Sequence, residues 1–108
     1  MTSTPTQHPT HASTIERRIA RSLINNLIQR GLIVTVWEGE DYAIRNSRSA
    51  SAVLAAMSST GMDYVSATNA EQDLAVSFML IYGNDEDLIS DTSTGPLAEE
   101  IFTQVTGI

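Results

Sequence analysis

The chain contains no cysteine and no lysine. Without cysteine there is no disulfide framework, no thiolate metal site and no thiol nucleophile. Without lysine there is no P-loop and no Schiff-base amine. Both histidines, His8 and His11, precede the first patterned segment. A Ser-His-Asp arrangement or a histidine-based metal centre in the folded part therefore has no imidazole to use, and two histidines in a tail make a poor metal site. No stretch approaches the roughly 18 uninterrupted apolar residues of a membrane span. The first residues, MTSTPTQHPTHAST, show neither the positive nor the apolar region of a secretory signal. These absences lead us to expect a cytoplasmic protein that is not an enzyme and uses no cofactor.

What is present fits one small domain. The chain has 108 residues, 42% of them hydrophobic and 18% charged, enough for a single core. Residues 1–12 are polar and aperiodic and read as a flexible tail, leaving 13–108 as the domain. The net charge of −7 is unevenly divided. All six basic residues are arginines within 1–48, where they face four carboxylates, whereas 49–108 holds nine carboxylates and no cation. An acidic half of that kind must face solvent, its own arginine-bearing half, a cation or a basic partner. Direct nucleic-acid binding is not expected, since the only basic stripe is one side of the first helix.

Periodicity predicts an α+β fold: an antiparallel sheet of four to five strands with three helices, in the order α-β-β-α-β-β-(β)-α. The first helix runs from an N-cap at Ser13 or Thr14 to Gly31, with Glu16 in its first turn. Its apolar positions spread over roughly 200°, about twice the arc that a sheet needs, which points to a second contact with another helix or a partner subunit. Segment 32–37 is apolar on nearly every position and pairs as a hairpin with 42–45. A short helix capped by Ser47 or Ser49 follows, then strands at 64–68 and 74–82. Segment 74–82 is apolar on both sides, so cover on both sheet faces is expected. A fifth strand is placed at 88–90, and Gly95-Pro96 opens the last helix, 96–106.

The densest chemistry lies in SFMLIYGNDEDLISD, where Asp85, Glu86, Asp87 and Asp91 follow Gly83 within nine residues. As a calcium loop the run offers Asn84, Asp85, Asp87 and Asp91 as weak ligand candidates, but it lacks the EF-hand spacing. As a strand end it needs only Gly83 and Asn84 at positive φ, with the acids keeping a greasy strand soluble. As a docking surface it matches the cation-free half, with Arg18 and Arg21 on the first helix as the opposite charge.

The segment Tyr82-Gly83-Asn84-Asp85, followed by Ile89-Ser90-Asp91-Thr92, resembles a motif of small uncharacterised phage and prophage proteins, a Y-G-N-D loop leading into an I-S-D-[YHT]-T turn. The similarity extends over about 32–95 and includes AVLAAMSSTGMDYV, while Glu86 stands where a second glycine is expected. The resemblance implies a phage or prophage setting, hence a host-cell cytoplasm, and transfers no catalytic residue. We expect a small acidic interaction protein that self-associates as a homodimer or binds a basic host protein through its acidic half. The alternative is a cation- or ligand-binding module using 83–91, with Tyr82 and Asp91 closing the site.

Overall fold

A computed structural model describes residues 11–107. The element order is α1 (Thr14–Gln29), β1 (Ile33–Trp37), β2 (Tyr42–Ser47), α2 (Ala50–Ala56), β3 (Met62–Thr68), β4 (Ala75–Ile81), β5 (Ile89–Thr92) and α3 (Pro96–Thr106). The five strands form one antiparallel sheet in the order β2-β1-β3-β4-β5. This is the expected α+β class and element order. His8 and most of the expected tail lie outside the described residues. His11 and Ala12, placed in that tail, are tied down: the His11 N–H donates to the Ser58 carbonyl, and Ala12 is buried.

Local chemistry sets the element ends. Ser13 caps α1 in a capping box: its hydroxyl accepts from the Glu16 N–H, and the Glu16 carboxylate accepts from the Ser13 N–H. Ser49 caps α2, and Pro96 opens α3, which ends at Gly107 with φ 79°. The fifth strand is displaced from the expected 88–90 to Ile89–Thr92, because Asp85–Asp87 form a 3₁₀ turn whose hydrogen bonds carry the chain through Leu88. Leu74, expected inside the strand, is instead exposed at the end of the 69–73 turn, where its N–H donates to the Asn69 side chain.

The helices make one layer, with α1 in the middle touching both α2 and α3. This accounts for the wide apolar arc of α1. Leu23, Ile24 and Leu27 face the core, while Ile19 and Ile28 pack at its margins. No partner subunit is needed to cover it. Below the helices, Val34 and Val36 of β1, Val65 and Ala67 of β3, and Val76, Phe78 and Leu80 of β4 form the buried face of the sheet.

The expectation of cover on both sheet faces is not met. Ile33, Thr35 and Trp37 share the opposite face with Tyr64, Ser66, Thr68, Ser77 and Met79, and none of these is fully buried. A strand apolar on both sides signals two-sided cover only when enough helix exists to supply it. Here three short helices fill one side. Phe78→Ala should therefore cost about 3–5 kcal/mol in urea unfolding, and Trp37→Ala, half-exposed and held by the Tyr42 ring, only about 1–2 kcal/mol. Equal costs would mean that the second face is covered after all.

Candidate functional site

The loop after β4 is built around a carboxylate from the other end of the chain. Gly83, Asn84 and Asp85 present three successive backbone N–H groups to Glu16 Oε2, at 2.8, 2.7 and 2.8 Å. Glu16 Oε1 takes the Ser13 N–H at 2.9 Å, completing the α1 cap. Consecutive N–H groups converge in this way when the backbone alternates between left- and right-handed regions. Gly83 has φ 101° and Asp85 φ 51°, with Asn84 between them at −119°. The positive φ expected at Asn84 thus falls on Asp85. Burial raises the Glu16 pKa, but the backbone N–H donors of Ser13, Asn84, Asp85 and Gly83 outweigh it and hold the group below its ordinary 4.5.

A second buried carboxylate lies at the start of β3. Asp63 Oδ2 accepts from the Ser58 N–H at 2.8 Å and from the Tyr82 hydroxyl, and among the described residues Oδ1 has no partner. Burial raises the Asp63 pKa above its ordinary 3.8, against the Tyr82 and Ser58 hydrogen bonds and with help from the Glu38 charge. Burial and the neighbouring Asp63 also push the Tyr82 phenol upward. Tyr82 is therefore committed to the interior and does not close a site over the loop, which corrects that expectation.

The predicted site residues separate into three places. Asp85, Glu86 and Asp87 project into solvent from the 3₁₀ turn. Asp91 lies on β5, paired with Met79, on the helix-free face. Arg18 and Arg21 are exposed on α1, where Arg21 borders a cleft of about 110 Å³ with Arg17, Leu54 and Met57. Among the described residues no three His, Asp or Glu side chains converge where a metal ion would sit. The two halves of the charge do meet among the described residues, where Arg30 pairs with Glu100 at 2.7 Å and binds α1 to α3.

Sequence reasoning missed the two buried carboxylates and the helix-free face. Two signals were available. Ser13-Thr14-Ile15-Glu16 is a capping box, although nothing in it shows that Glu16 also reaches residues 83–85. Asp63, Val65 and Ala67 alternate on one face, so extending β3 by two residues would have exposed a buried acid.

The helix-free face carries a row of side chains that crosses all five strands: Tyr42, Trp37, Tyr64, Met79 and Asp91, each paired with the next. Trp37 and Tyr42 meet edge to face with centroids 4.9 Å apart, and the Arg45 guanidinium lies 4.0 Å from the Tyr42 ring centre. Trp37, Tyr42 and Tyr64 are 36%, 44% and 38% exposed, a concentration of aromatic surface that folding alone leaves open. Compared with protein-family models, curated proteins and solved structures, the chain matches none.

The two buried carboxylates carry opposite pH signatures. Glu16 is depressed, so its stabilisation is full above the ordinary carboxylate range and is lost as pH falls through its folded value. Asp63 is raised, so stability declines as pH climbs from 3.8 through its folded value. Glu16→Gln should cost about 2 kcal/mol at neutral pH, and the difference from the native chain should vanish in acid. Asp63→Asn should flatten the decline from acid to neutral pH. Urea melts across that range check both, and parallel pH profiles in all three proteins would refute the assignments.

Proposed function

We infer that this chain is a non-enzymatic interaction protein that recognises a protein surface through the helix-free face of its sheet. The carrying observation is the Tyr42–Trp37–Tyr64–Met79 row, whose three aromatic residues keep 36–44% of their surface open to solvent side by side. Two further observations support the reading. The carboxylates with displaced pKa values are both buried and committed to structural donors, which leaves them out of reach of a substrate. The exposed acids Asp85, Glu86 and Asp87 stand on a loop fixed by Glu16 of α1, negative charge that favours a basic partner over an acidic one. With the phage resemblance of the Y-G-N-D loop, the partner is a protein of the host cytoplasm or a further copy of the chain.

A cation-binding role for 83–91 has less in its favour, because the loop's backbone donors face Glu16 and, among the described residues, no three His, Asp or Glu side chains converge. Two measurements separate the readings. Affinity capture should lose its specific partner when Trp37→Ser and Tyr64→Ser are combined, with the far-ultraviolet spectrum and melt preserved. Retention of the same partner by the double variant would overturn the reading. Millimolar calcium or magnesium should leave the melting temperature unchanged. A rise abolished by Asp85→Asn with Asp87→Asn would replace it with the cation role.

A further inference from the structure

We propose that the helix-free face binds a second copy of the chain, the two sheets stacking about a two-fold axis parallel to the strands, with Arg45 of each copy against Asp91 of the other. This deepens the interaction reading and rests on it.

The cross-strand row carries opposite charges at its two ends and none in its middle. At the β2 end the Arg45 guanidinium sits over Tyr42, and at the β5 end stands Asp91. Between them are Trp37, Tyr64 and Met79, with Tyr64 on the central strand. Four inter-strand gaps of about 4.8 Å separate the ends by about 19 Å, too far for the charges to pair within one chain. Among the described residues Arg45 has no carboxylate partner, and Asp91 accepts only from its neighbour, the Thr92 N–H, at 2.9 Å. Both have open space beside them. Arg45 borders a hollow of about 220 Å³ with Thr35 and Asn46, and Asp91 one of about 160 Å³ with Tyr64 and Ser77.

A two-fold axis lying between the two sheets, above β3 and parallel to it, lays the β2 edge of one copy over the β5 edge of the other. Each guanidinium then meets a carboxylate, twice per dimer, and the uncharged aromatic centre closes on itself about Tyr64. The perpendicular two-fold instead places Arg45 on Arg45 and Asp91 on Asp91, and like-charge repulsion disfavours it. Sheets packed face to face lie about 10 Å apart, a separation that side chains of this size fill. Five strands by about five residues give a face of about 24 by 17 Å, roughly 800 Å² over both copies and below the roughly 1,200 Å² at which stable interfaces begin, so the dimer should be weak and concentration-dependent.

Sedimentation equilibrium from about 1 to about 200 µM should show reversible dimerisation, with the single tryptophan, Trp37, shifting its emission to the blue as dimer forms. Arg45→Glu alone and Asp91→Arg alone should each weaken association about tenfold or more. The double variant should recover it, and so should an equimolar mixture of the two single variants, because in both cases every position 45 again faces an opposite charge at position 91. Both residues are exposed, so each variant should keep the native near-ultraviolet spectrum and melt. A monomer throughout the concentration range would overturn the proposal, as would a dimer indifferent to the charge exchange. The capture experiment with Trp37→Ser and Tyr64→Ser then decides separately whether the face serves a different protein.

Discussion

One buried carboxylate joins the two ends of this fold. Glu16 belongs to the first turn of α1, yet three of its four backbone donors come from residues 83–85. A charge removed from water is costly unless every lone pair finds a donor, and here backbone groups fixed by secondary structure supply them. The consequence runs both ways. The helix cap depends on a loop nearly seventy residues away, and the shape of that loop depends on the cap. Among the described residues no cation pairs with Glu16, and Asp85, Glu86 and Asp87 of the adjoining 3₁₀ turn add further negative charge. The loop holds because oriented N–H dipoles, not cations, neutralise Glu16.

Residues 82–85 acquire a structural meaning from that clamp. Tyr82 turns inward to donate to Asp63, tying the end of β4 to the start of β3. Gly83 supplies the left-handed turn that lets the next N–H groups converge, and Asn84 closes the corner by donating to the Ile81 carbonyl. The side chains of Asp85, Glu86 and Asp87 are exposed beyond it. A loop held so firmly presents its side chains at little entropic cost, which suits recognition better than a mobile acidic tail would.

Helix economy shapes the rest. Three helices suffice for one face of a five-stranded sheet, and α1 uses its wide apolar arc to bind both neighbours as well as the strands. The opposite face is left with a mixture that neither a buried core nor an ordinary solvated surface requires: aromatics and methionine in one row, serine and threonine in the next. Thr35, Ser66 and Ser77 tolerate water, whereas Trp37 and Tyr64 gain from leaving it.

The sequence by itself determined the class, the order of elements and most of their faces, because period-2 and period-3.6 patterns, Ser13 and Ser49 caps and the Gly95-Pro96 start are local signals. The last helix and the alternation of Val65 with Ala67 were legible residue by residue. It did not determine where β5 begins, since the 3₁₀ turn that delays it depends on a loop shaped by Glu16. Nor did it reveal the Glu16 clamp, the burial of Asp63 or the inward turn of Tyr82, each of which joins residues far apart in the chain. Apolar patterning also cannot tell a strand covered by helices on both sides from one whose second side remains open, because both write the same residues. Only the tertiary structure decided that, by using all three helices on one face and leaving Trp37, Tyr42 and Tyr64 exposed on the other.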